Sequence, residues 1–191
     1  MRAHATNEMD VIGASADEIW AVYGSKDLWK LIVKLQPDVF DRVYLVAFDG
    51  GVGTIIHMVM TPGFKGLHLH DFDVELVRID HGNKVLVVQQ TRGGYLDLGY
   101  SFFQVTFEIL ANDDSSCVIR TTTSVEIDQK SKSSASIIAV DDISGMAKAI
   151  AKYVLENKAR KDCSLALGIT SPVMKQGKDE KPMTVGVGIL L

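Results

Sequence analysis

Apolar and polar positions along the chain change period several times, and each change marks an element. Asn7 to Gly13 alternates loosely and predicts an opening strand. SADEIWAVYGS follows: Ser15 suits a helix cap, Asp17 and Glu18 suit a first turn, and Ile19, Trp20 and Tyr23 supply an apolar stripe. Lys26 to Leu35 carries Leu28, Ile32 and Leu35 on one side, and Pro37 stops that second helix. From Val39 the period becomes two. Runs through Val43–Ala47, Thr54–Met60, Leu67–Ile79, Val85–Gln90, Tyr95–Leu110 and Cys117–Ile127 are separated by DGGVG, PG, DHGN, GG and ANDDSS. Short turns between successive strands predict antiparallel pairing. After the serine-rich KSKSSAS, a long helix is predicted over Ile137–Ala159, with Ile143, Met146, Ile150, Tyr153 and Val154 on one face. Residues 1–6 and 161–191 are expected to be disordered, leaving one α+β domain over 7–160.

An antiparallel sheet with one long helix cannot fill its own concave face. Two short helices at one end would close it into a cup, the common shape of a small-molecule site.

Composition supports that picture. The 191 residues are 47% hydrophobic and 23% charged, with a formal net charge of −4 and no basic block, so nucleic acid is not an expected partner. No stretch is long enough to span a membrane, and MRAHATNEMD has no apolar signal region. Two cysteines, Cys117 and Cys163, form no disulfide framework and fit a reducing, cytoplasmic setting. The expected partner is a small hydrophobic or aromatic ligand, with the chain a monomer or weak dimer. No cofactor and no metal is expected. His57, His68 and His70 invite a metal reading, but no third ligand stands at standard spacing. DGGVGT lacks the Gly-Lys-Ser/Thr ending of a phosphate loop and reads as a tight turn needing positive φ.

ASADEIWAVY, DGGVGTI, TPG, GGYLDLG, SCVIRTTT and AIAKYVLENK occur in an order and spacing that resembles the norcoclaurine synthase-like branch of the Bet v 1 superfamily, over roughly Glu8 to Lys158. That superfamily contains the class-ten pathogenesis-related proteins of plant defense. The resemblance implies a Bet v 1-like, helix-grip (START-like) fold: a seven-stranded curved antiparallel sheet wrapped around a long C-terminal helix, with two short helices closing a cavity. It also implies an activity in alkaloid metabolism, condensation of dopamine with an arylacetaldehyde. The family uses a Tyr and a Glu two apart on one strand, a Lys on the next and an Asp on a later one. The Lys assists iminium formation, and the Glu takes a ring proton as general base.

In this chain those four positions fall on Phe72, Val74, Leu86 and Val105. A one-residue slip would place Asp73 and Glu75 there but would turn Phe72 and Leu76 outward; Asp80, before its turn, holds the register. Apolar side chains transfer no protons, so a degenerate catalytic site is expected within a binding cavity. The same resemblance places Gln36, Val39 and Phe40 at the lid and Asp142 and Met146 on the helix wall. Met146 and Ile150 also read as ordinary core. Met58, Val88, Phe103 and Phe107 add apolar wall, and Gln90 is the most polar group on its strand face. Asp71, Asp73 and Glu75 read as the solvated face of their strand.

The leading reading is a binder of an alkaloid- or phytohormone-like molecule. An enzyme working through His70, Tyr95 or Asp97 is the alternative, and a receptor with ligand-responsive lids a third. His70 would serve as base, since an imidazole titrates near neutrality and His70 shares the Phe72 face. Tyr95 offers a phenol. Asp97 either joins Tyr95 or satisfies backbone groups at the bend.

Overall fold

The computed structural model describes residues 2–63, 70–127 and 140–166, with side chains over 145–163 in the last segment. Seven strands form one antiparallel sheet in the order β1-β7-β6-β5-β4-β3-β2. They are β1 Arg2–Ile12, β2 Phe40–Ala47, β3 Ile55–Met60, β4 Asp71–Asp80, β5 Val85–Gly93, β6 Tyr100–Asp113 and β7 Ser116–Ile127. Helices α1 (Ala16–Tyr23) and α2 (Leu28–Leu35) separate β1 from β2, and α3 (Val140–Ala166) follows β7. The expected fold class is therefore correct.

Two boundary expectations fail. Residues 2–6 are not disordered: β1 begins at Arg2 and pairs with β7 along its whole length, from Arg2 opposite Glu126 to Ile12 opposite Ser116. The long β7 presents an unpaired ladder that a polar strand can satisfy, and Thr6 meets Thr122 across it at 3.1 Å. At the other end α3 runs through 161–166, beyond the expected stop. Residues 167–191 lie outside the described residues.

Local chemistry explains the short helices. Ser15 and Glu18 form a reciprocal capping box: the Glu18 amide donates to Ser15 Oγ at 3.2 Å and the Ser15 amide donates to Glu18 Oε2 at 2.8 Å. Ala16, Ile19, Trp20 and Tyr23 are the buried face of α1. α2 ends at Gln36, held non-helical before Pro37. The DGGVG turn packs against the α1–α2 connection. A Cβ on Gly50 would come within 2.4 Å of the Lys26 carbonyl oxygen, and Gly50 has a φ of 99°. Asp49 pairs with Lys26 at 2.6 Å, and the Gly50 amide donates to Thr54 Oγ1 at 2.9 Å. The turn latches strand to helix, as the positive-φ reading anticipates.

The buried stripe of α3 is Ala147, Ile150, Ala151 and Val154. Small residues let this helix approach the sheet closely, and it packs on β1, β7, α1 and α2. It thus covers one side of the sheet. The face made by β3 to β6 is left to the short helices, and the space beneath them stays hollow.

Candidate cavity and comparison with known proteins

The hollow is a cavity of about 180 Å³. Its walls follow the pleat. Ile56, Met58 and Met60 come from β3, Phe72, Val74 and Leu76 from β4, Leu86, Val88 and Gln90 from β5, and Phe103, Val105 and Phe107 from β6. Each trio is spaced by two, so one face of every strand points inward. Tyr23, Leu28, Ile32, Gln36, Val39 and Phe40 close the helix side, and Tyr95 and Met146 complete the lining.

Phe72, Val74, Leu86 and Val105 all line this one space. Strand register brings them together: Val88 stands opposite Val105, Leu86 opposite Phe107, and Val74 opposite Gln90. Val74 and Leu86 are buried at 6% and 2% exposure. Among the described residues, no lining side chain carries a formal charge.

Gln90 is held in place. Its Oε1 accepts from the Tyr95 amide at 2.8 Å, in a buried setting. Gly94 makes room for this contact, because a Cβ there would lie 2.4 Å from Gln90 Nε2. Tyr95 stacks on Phe103, with ring centroids 4.1 Å apart and planes 4° apart. The GGY segment thus seats a carboxamide and an aromatic wall at one end of the cavity.

Other expected site residues fall elsewhere. His70 is exposed and does not line the cavity: it lies before β4, where its carbonyl accepts from the Met60 amide at 2.9 Å. Asp97 is exposed in a short 3-10 turn, Leu96–Leu98, that carries it away from the wall Tyr95 joins. Ile150 is fully buried in the core cluster with Val11 and Ile119 rather than in the lining. Asp142 lies on α3, but its side chain is outside the described residues, as is His68. Tyr23, Leu28, Ile32, Ile56, Met60 and Leu76 join the wall without having been singled out. Ile56, Met60 and Leu76 extend the same period-two faces as Met58 and Val74, which is the signal that identifies them.

The opposite face of β3 and β4 carries the charge. His57 Nδ1 meets Asp73 Oδ1 at 2.5 Å, and Arg92 Nε donates to Asp73 Oδ2 at 2.7 Å while Nη2 reaches Asp71 at 3.2 Å. Tyr44 covers the His57 ring, centroid to centroid 4.9 Å. The Arg92 guanidinium holds the Asp73 carboxyl below its ordinary range, helped by His57. Asp73 lies on the outward face as expected but is not simply solvated, with a side chain only 15% exposed. Among the described residues, no group of three or more His, Cys, Asp or Glu is placed to hold a metal. No described helix is long and apolar enough to cross a membrane.

No protein-family model matches the chain. Curated relatives do. Norbelladine synthase of Narcissus pseudonarcissus is 31% identical over 167 residues, 87% of this chain and 99% of its own. S-norcoclaurine synthase of Thalictrum flavum subsp. glaucum is 34% identical over 150 residues, 78% of this chain and 70% of its own. Among solved structures, norcoclaurine synthase from Thalictrum flavum in complex with dopamine and hydroxybenzaldehyde superposes with a TM-score of 0.73 at 33% identity, covering 82% of this chain and 88% of that one. The chain belongs to the norcoclaurine synthase-like branch of the Bet v 1 superfamily.

Proposed function

We propose that the chain binds a small hydrophobic or aromatic molecule, alkaloid- or phytohormone-like, in its internal cavity, and that the family's acid–base apparatus has been lost from that cavity. The observation that carries this reading is the shared position of Phe72, Val74, Leu86 and Val105 in a space with no charged lining residue among those described. A proton-transfer mechanism needs groups that titrate near the reacting atoms, and these four do not. Apolar burial alone supplies about 25 cal/mol per Å² to a guest. A relative crystallised with dopamine and hydroxybenzaldehyde supports an aromatic occupant.

The enzyme alternative draws no support from the geometry, since of His70, Tyr95 and Asp97 only Tyr95 lines the cavity. On this reading the chain acts as a monomer or weak dimer. Two free cysteines, Cys117 and Cys163, favour the cytoplasm.

Two measurements test the proposal. A fluorescent naphthalene probe should bind with one-to-one stoichiometry, and a bulky Val88→Trp substitution should displace it. Dopamine with 4-hydroxyphenylacetaldehyde should condense no faster than in buffer. Turnover that disappears in His70→Ala would restore the enzyme reading, and failure of every aromatic probe to bind would remove the binding one.

A further inference from the structure

Gln90 interrupts the apolar wall from β5. It lines the cavity and is only 5% exposed. Its carboxamide has a fixed sense. The Tyr95 N–H donates to it at 2.8 Å, and a donor can meet only the amide oxygen, so Oε1 is committed to the backbone and the NH2 group is left over. Among the described residues Nε2 has no hydrogen-bond partner.

That nitrogen is open where the Tyr23 hydroxyl is not. Tyr23 Oη is the one buried, unpartnered side-chain nitrogen or oxygen among the described residues that water cannot touch. Gln90 shares its inward strand face with Leu86 and Val88, so the surface left to Nε2 is cavity surface. Gly94 lies against the amide and has no side chain to offer it. Val74 across the sheet and Val88 beside it give a resident water no second side-chain partner. Gln36, the other carboxamide of the lining, is half-buried at the lid, where solvent can serve it. Buried polar groups are paired in nearly all native proteins, so a fixed donor facing a hollow points to an acceptor that arrives with the guest.

Resting on the reading that the cavity takes a ligand, we infer that Gln90 Nε2 donates a hydrogen bond to a carbonyl oxygen of that ligand. A carbonyl accepts and brings no donor of its own, whereas a guest hydroxyl would bring an O–H to a wall whose carboxamide oxygen is already engaged. The cavity then selects neutral, apolar molecules carrying a ketone or aldehyde at the end that abuts Tyr95.

The test uses two probes of nearly equal shape, 2-acetylnaphthalene and 2-ethylnaphthalene. Their dissociation constants are measured on the full chain and on Gln90→Met, which keeps the length of the side chain without its N–H groups. The ratio of ketone to hydrocarbon affinity should fall about five- to tenfold in the variant. An unchanged ratio would overturn the Gln90 assignment while leaving the binding reading intact. If the wild-type chain binds neither probe, the binding reading falls and the assignment with it. A second measurement needs no variant. In heteronuclear NMR of the isotopically labelled wild-type chain, the Gln90 side-chain NH2 protons should move downfield with the ketone and clearly less with the hydrocarbon. Equal movement would overturn the assignment even if Gln90→Met failed to fold.

Discussion

Glu18 Oε2 accepts from two donors at once, the Ser15 amide at 2.8 Å and the Lys158 ammonium at 3.0 Å, so a single carboxylate caps α1 and ties it to α3. The Ser15 amide is the main reason its carboxyl titrates below the ordinary range, with Lys158 adding to it. A depressed folded value means stability that is present above the unfolded pKa of about 4.3 and lost as pH falls through the folded one. Glu18→Gln should therefore cost about 1 kcal/mol at pH 7, and the difference from wild type should begin to shrink as pH falls below about 4.3 and close only as the folded carboxyl itself protonates. Urea unfolding at pH 7 and pH 3.5 reads both; an equal gap at the two values would refute the capping role.

Val74→Glu places a carboxyl where the family's own general base is expected. Inside this apolar wall, desolvation raises its pKa above the unfolded 4.3. The sign is then opposite to that of Glu18. The variant should be least destabilised below about pH 4 and lose stability as pH rises towards the folded value, by up to about 1.4 kcal/mol per pH unit. A pH-independent difference from wild type in urea titrations would mean that position 74 sees water.

Asp73 is one residue from both Phe72 and Val74 but belongs to the other face, with His57 and Arg92. Asp73→Asn should cost about 1–3 kcal/mol at pH 7, where the charge-assisted contacts are intact. Affinity for an aromatic probe should stay within twofold. Calorimetric titration showing a larger loss of binding would mean that the two faces are not independent.

Gly94 and Gln90 should behave as a unit. Gly94→Ala drives a Cβ to within 2.4 Å of Gln90 Nε2 at a backbone φ of 57°, which should displace the amide from the Tyr95 N–H and cost about 1–3 kcal/mol. Combined with Gln90→Ala, the two losses should fall well short of their sum. Strict additivity in a double-mutant cycle would show that the glycine is not there to seat the glutamine.

Much of this arrangement is legible in the sequence because strand periodicity is strict. Once Phe72, Leu86 and Val105 are assigned to one face, Val74, Val88, Gln90, Phe103 and Phe107 follow by counting in twos, and all line the cavity. His70 obeys the same count but precedes β4, so strand parity no longer governs it. Ile150 fails for another reason: helical spacing finds a buried face without telling core from cavity, and of that face Met146 reaches the hollow while Ile150 packs into the core. Tyr23 stands within a stripe that the pattern marks as core, and only the packed structure shows its hydroxyl to be unpaired. The opening strand is read only from Asn7 onward because Arg2 to Thr6 is short and carries no large apolar residue, and its order comes from a distant partner, β7.

The uncharged lining has a consequence for how the protein would sort molecules in a cell. The buried Tyr23 phenol stays protonated well into alkali, and among the described lining residues no carboxylate or ammonium answers a guest's charge. Such an interior behaves like a droplet of hydrocarbon. A basic amine enters only after shedding its proton, and an organic acid only after gaining one. Apparent uptake of either should shift about tenfold per pH unit on the charged side of the guest's own pKa, so acidity would set which compounds the protein carries.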